Sequence, residues 1–149
     1  MIIRKANVQD APAICKISSD DLGYKCDVEL VSRRLMDLDD RREAVFVVEI
    51  DNIVVGYIHA EVYNVLYYES MVNILGIAVS SDYRRCGVGR LLLENAENWA
   101  KELGINMVRL NSGGARKEAH AFYRAMGYDT EKEQIRFIKN LTSLKGNQM

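Results

Sequence analysis

Two rhythms of apolar and polar positions meet in residues 74–104, the most informative stretch of the chain. Ile74, Leu75, Ile77 and Val79 form an apolar run of strand character, followed by a polar turn that carries Gly87 and Gly89. Val88, Leu91, Leu92, Ala96, Trp99, Ala100 and Leu103 then recur at three- and four-residue steps, which predicts a helix with one buried face. Arg90, Glu94, Glu97, Lys101 and Glu102 fall on the opposite face, and Gly104 supplies the stop.

Around this strand, turn and helix the remaining elements follow in order. Ile2 and Ile3 open a first strand, and Asn7 with Asp10 three residues on resembles a helix cap. Ala11, Ile14, Cys15 and Ser18 continue at helical spacing, with Pro12 tolerated in the first turn. A second helix is predicted from Asp27, with Val28, Val31, Leu35 and Leu38 on one face. Residues 44–50 and 53–62 read as strands joined at Asp51-Asn52, so the sheet is expected to be at least partly antiparallel. The tyrosine-rich segment 63–70 reads as a loop, and 108–111 as a strand. After Ser112-Gly113-Gly114, a flexible connection, comes a helix over 116–126 ended by Gly127, then a last strand over 135–141 and a polar tail over 142–149. The predicted order is β-α-α-β-β-β-α-β-α-β-β, an α/β (α+β) arrangement.

At 149 residues the chain is expected to be one domain, residues 1–141, with no repeat or linker dividing it. A formal net charge of −1 argues against general attraction to nucleic acid or an anionic membrane, so any anion site must be local. Cys15, Cys26 and Cys86 form no C-x-x-C pair, so no metal site or disulfide framework is expected and a reducing, cytoplasmic setting is. The sequence has no recognisable leader and no run long enough to span a bilayer.

A glycine-rich turn that opens a helix suits a phosphate: the first helical amides lack acceptors, the helix dipole is positive there, and glycine admits close approach. Arg84, Arg85 and Arg90 add charge at the same place. A P-loop is excluded because Arg90 and Leu91 stand where Lys and Ser/Thr are needed, and a dinucleotide fingerprint lacks its third glycine at Leu92. The third option is a cradle for coenzyme A. Arg84-Arg85-Cys86-Gly87-Val88-Gly89 resembles the Arg/Gln-x-x-Gly-x-Gly/Ala signature of the GNAT superfamily of N-acetyltransferases. Further on, Ala119-His120-Ala121-Phe122-Tyr123-Arg124-Ala125-Met126-Gly127-Tyr128 resembles the second signature, Ala-x-x-Phe-Tyr-x-x-x-Gly-Phe/Tyr.

The resemblance covers most of residues 2–141 and implies a GNAT-like mixed, mostly antiparallel sheet with a central splay, flanked by about four helices. It implies transfer of an acetyl group from acetyl-coenzyme A, the cosubstrate, to a primary amine. Cofactor contacts would fall on Ile77, Ala78 and Val79, on the loop Arg84, Arg85, Cys86, Gly87, Val88, Gly89 and Arg90, and on Arg116, Ala119, Phe122 and Tyr123. Tyr123 stands where the family commonly has its general acid. A phenol near pKa 10 can reprotonate a departing thiolate, although the spacing of Ala119, Phe122, Tyr123 and Met126 equally suits core packing.

Leu75 and Gly76 occupy positions where many relatives carry a carboxylate or asparagine on the central strand, so the base is not marked by the pattern. Glu61 and His59, which share strand parity, are candidates beside Asp20, Asp21 and a water chain. Arg116 stands where asparagine is frequent, and with residues 119–128 and 137–141 this resembles the branch containing aminoalkylphosphonate and aminoglycoside N-acetyltransferases. A small-molecule amine is therefore the expected acceptor, with Tyr24, His59, Glu61 and Tyr63 as candidate contacts and Tyr67, Tyr68 and Glu69 nearby in sequence. Protein lysine or N-terminal acetylation, and a non-catalytic acyl-coenzyme A binding regulatory module, are the alternatives. A homodimer is also compatible with the pattern.

Overall fold

The computed structural model describes residues 1–23, 25–113, 116–130 and 132–142. It divides into two compact units, Met1–Asn111 and Ser112–Met149.

The first unit is built on a five-stranded sheet. Its strands are β1 (Ile2–Lys5), β2 (Glu43–Ile50), β3 (Ile53–Tyr63), β4 (Met71–Val79) and β5 (Val108–Leu110). They lie in sequence order; the first three pairings are antiparallel and only β4 with β5 is parallel. Helices α1 (Ala11–Asp21), α2 (Val28–Met36) and α3 (Val88–Glu102) complete it. Asp51 and Asn52, at φ 52° and 64°, make the tight β2–β3 turn that the sequence predicts.

Alternation along the strands builds two apolar faces. On one, Val45, Val47, Tyr57 and Ala78 pack with Ile14 and Ile17 of α1, and Val31 and Leu35 of α2 close over them. On the other, α3 lies so close that a Cβ on Gly56 would come within 2.9 Å of Val88 Cγ1 and 3.2 Å of Leu92 Cδ1. Glycine there sets the helix-to-sheet distance. Within α3, Val88, Leu92, Ala96, Trp99 and Ala100 are buried as their spacing predicts, and Leu93 joins them, while Leu103 stays exposed.

Helix α1 starts where its capping chemistry places it. The Asn7 side chain accepts from Gln9 N–H, and Asp10 reaches back to Asn7 N–H at 2.8 Å. Arg4 then grips Asp10 with two bonds of 2.8 Å and Glu49 with one of 2.6 Å. Burial would push the Asp10 carboxyl upward, but the Arg4 fork and the Asn7 amide outweigh it and hold the carboxyl below its ordinary range.

The second unit contains α4 (Lys117–Ala125), matching the helix predicted there, and Gly127 at φ 95° ends it. The strand expected over 135–141 does not form: no described pairing includes it, and Ile135, Phe137, Ile138 and Leu141 are exposed. Alternating β-type residues describe a surface that fits a sheet, but a strand exists only with a ladder partner. The predicted tail over 142–149 lies outside the described residues except for Thr142.

Candidate active site

Three features of the first unit converge on β4. The first is an irregularity in the β3–β4 ladder. His59 pairs with Gly76 and Ala60 with Ile74, so Leu75 is an extra, unpaired residue, half-exposed at the bulge. The second is the early end of β5, whose pairing with β4 covers only Val72, Asn73 and Ile74. Among the described residues, 75–79 therefore have β3 on one side and no strand on the other. The splay expected beside Ile77, Ala78 and Val79 is present, since β5 pairs with none of these residues.

The third feature is the loop into α3. Arg84 is extended, Arg85 takes the left-handed conformation at φ 64°, and Gly87 takes it again at φ 84° as the residue capping α3. Gly87 offers no side-chain cap, and the main-chain N–H groups of residues 85–90 find no acceptor among the described residues. An outward-facing row of amides at a positive helix end is an anion cradle. Arg84 is anchored by a 3.0 Å ion pair to the nearly buried Asp21 at the end of α1, which tethers the loop. The Cys86 thiol is exposed, and Arg90 leans toward Glu94 at 3.5 Å.

A polar row crosses the sheet on the face that carries α1 and α2. His59 Nε2 lies 2.9 Å from Glu43 Oε1. Glu61 stands opposite Glu43 in the β2–β3 register and opposite Asn73 in the β3–β4 register. Asn73 Nδ2 donates to Glu61 Oε2 at 2.9 Å, and Arg109 donates to Asn73 Oδ1 at 2.8 Å. Because guanidinium can only donate, the amide oxygen must face Arg109, which leaves the NH2 for the carboxylate. Arg109 also lies 4.6 Å over the Tyr63 ring, so that face of Tyr63 is occupied by a cation of the same chain.

Sequence reasoning missed Asn73 and Arg109. Their partners are 12 and 36 residues apart, and nothing local marks such pairings. A cleft of about 300 Å³ opens on this face, with Ser18, Arg34, Tyr57 and His59 among its walls. Tyr57 and Ser18 share a buried 2.7 Å hydrogen bond in it.

Other expected contacts fall elsewhere. Tyr24 lies outside the described residues, Tyr67 and Tyr68 are exposed, and Asp20 is engaged by Lys16 at 2.7 Å as Asp21 is by Arg84. In the second unit Tyr123 sits mid-helix, 5.4 Å from the Phe122 ring centroid and 6.4 Å from that of Tyr128. Burial pushes its phenol above the ordinary value, with Arg116 pulling weakly the other way. The hydroxyl therefore holds its proton at neutral pH. Arg116 and Ala119 flank and open the same helix. Among the described residues no group of three or more His, Cys, Asp or Glu could hold a metal ion, and no helix is long and apolar enough to cross a membrane.

In the first unit, a strand opened at a bulge lies beside a glycine-capped helix whose first amides have no acceptor among the described residues, on a mostly antiparallel sheet with three helices. The acetyltransferase (GNAT) family model matches residues 11–128, and the chain belongs to that family, whose members are acetyl-coenzyme A-dependent N-acetyltransferases. It is 32% identical over 135 residues to an uncharacterized N-acetyltransferase of Chlorobaculum tepidum, covering 88% of this chain and 77% of that one. Among solved structures, a transcriptional regulator from Bacillus halodurans C-125 matches with a TM-score of 0.84 at 22% identity, covering 93% of this chain and 99% of that one. AAC(6')-Iy, an aminoglycoside N-acetyltransferase bound to the bisubstrate analog CoA-S-monomethyl-acetylneamine, matches with a TM-score of 0.79 at 18% identity, over 93% and 97%. At these identities the structural matches speak for the fold.

Proposed function

We propose that this protein transfers the acetyl group of acetyl-coenzyme A to a primary amine of a small molecule in the cytoplasm, its two units working as one acetyltransferase domain. The observation that carries the reading is the set of acceptor-less amides at residues 85–90, beside a β4 edge left open over residues 75–79. The diphosphate of coenzyme A would take the amides, with Arg85, Gly87, Val88, Gly89 and Arg90 around it. The pantetheine arm would run along Ile77, Ala78 and Val79, whose main chain can donate to the thioester oxygen. Tyr123, whose phenol is held protonated by burial, supplies the proton for the departing thiolate. Glu61 and His59 face the acceptor.

Support for a small acceptor comes from the cleft on the α1 and α2 face, which at about 300 Å³ has room for one small amine-bearing group. Glu43 and Glu61 place two carboxylates on that face to attract a cation, and the AAC(6')-Iy fold match points the same way. We further propose a homodimer, because the exposed apolar side chains of residues 135–141 need cover. Thiol release with acetyl-coenzyme A and a panel of aminoglycosides, polyamines and alkylamines tests the activity. Turnover with at least one small amine is expected. Turnover with peptides alone would move the acceptor to protein, and cofactor binding without turnover would make the chain a binding module.

A further inference from the structure

We infer that His59, oriented by Glu43, accepts the proton that the acceptor ammonium must lose before it can attack. The inference rests on the acetyl-transfer reading above and assigns the base within it.

Position comes first. His59 lies opposite Gly76 in the β3–β4 register, at the bulge and one residue before Ile77, where the thioester is expected. Paired residues on adjacent strands have their Cα atoms about 5 Å apart. Gly76 presents no side chain beside the imidazole, and the nearest atom to a Cβ there would be the Tyr57 hydroxyl, 3.7 Å away. His59 also lines the cleft proposed for the acceptor, and it is about one-third exposed, reachable from that cleft.

Chemistry comes second. With Nε2–H donating to Glu43 Oε1 at 2.9 Å, the neutral ring carries its lone pair on Nδ1. Glu43 then stabilises the imidazolium once a proton arrives. The groups around it are Glu43 on β2, Tyr57 and Glu61 on β3, and Arg34 of α2 across the cleft. The competing bases are less free: Asp20 and Asp21 are in ion pairs, and one Glu61 oxygen is held by Asn73 under Arg109.

The step balances. The ammonium gives one proton to His59 Nδ1, and the freed nitrogen lone pair forms the C–N bond at the thioester carbonyl. When the C–S bond breaks, coenzyme A leaves as thiolate and takes the Tyr123 proton. The second amine proton restores Tyr123, and His59 releases its own to water.

The test is the pH dependence of kcat/KM, measured by thiol release with acetyl-coenzyme A and whichever amine of the panel the wild type turns over fastest. The wild type should lose activity toward acid as its base becomes protonated. His59→Gln should lower kcat roughly 10²-fold or more and remove that acid limb, while keeping the thermal stabilisation by acetyl-coenzyme A that shows the fold intact. Glu43→Gln should lower kcat with little change in KM, since the imidazole loses the carboxylate that orients it. A His59→Gln protein that keeps both turnover and acid limb overturns the assignment, as does transfer of the limb's loss to Glu61→Gln. A wild type that binds acetyl-coenzyme A yet acetylates no amine removes the acetyl-transfer reading itself, and this inference with it.

Discussion

Two clusters of charged side chains in the first unit differ in how completely they are closed. Around Asp10, both carboxylate oxygens are engaged: Arg4 clamps them through two nitrogens, Asn7 N–H adds a third bond, and the Asp10 side chain is only 6% exposed. Around His59, a single bond joins it to Glu43, and both side chains are about one-third exposed, at 31% and 32%. The closed cluster locks β1, β2 and the start of α1 together. The open one lines a cleft and leaves one ring nitrogen of His59 outside its bond to Glu43. Burial and full pairing build stability; partial exposure with one fixed partner leaves a group able to move protons.

Variants should separate these two roles, beginning with the largest effects. Tyr123→Phe is expected to lower kcat by roughly 10²-fold or more with little change in cofactor affinity, read by thiol release and calorimetry. Near-wild-type turnover would make Tyr123 a packing residue. Asp10→Asn should leave turnover per folded molecule unchanged but destabilise the protein by about 2 kcal/mol, because Arg4 keeps Glu49 but loses the carboxylate that ties it to α1. Since the folded Asp10 carboxyl sits below its unfolded value, its contribution is fully present above about pH 4 and is lost as pH falls through the folded pKa. The gap between wild type and Asp10→Asn in denaturant titrations should therefore be constant above about pH 4 and narrow below it.

Gly87→Val forces a β-branched residue to φ 84°, and should abolish most of the roughly 2.7 kcal/mol of stabilisation that a ligand at 100 times its Kd confers. Retention of that gain would mean the loop does not hold the diphosphate. Arg84→Ala should erode the same gain through loss of the Asp21 tether. Smallest is the stability change expected for His59→Gln, within about 1 kcal/mol, since an exposed single pair contributes little.

What the sequence made legible follows the range of the interactions. The turn, helix and apolar strand of residues 74–104 are local patterns, and α3 begins at Val88 with its apolar face inward as spacing alone predicts. The Asn7–Asp10 cap and the Asp51-Asn52 turn are equally local. By contrast, the Glu61–Asn73–Arg109 chain joins three strands, and no period announces it. Nor does sequence reveal that Tyr63, an attractive cation contact by type, has Arg109 over its ring. The missing strand over 135–141 has the same cause, since its residues have strand character but pairing depends on a partner elsewhere.

The central claim is that amides of residues 85–90 hold the diphosphate of coenzyme A next to the open edge of β4. A crystal structure with coenzyme A bound tests it most directly. The account predicts phosphate oxygens within hydrogen-bonding distance, about 2.7–3.2 Å, of main-chain nitrogens between Arg85 and Arg90, with the pantetheine arm along residues 77–79. Diphosphate density anywhere else on the protein would contradict it.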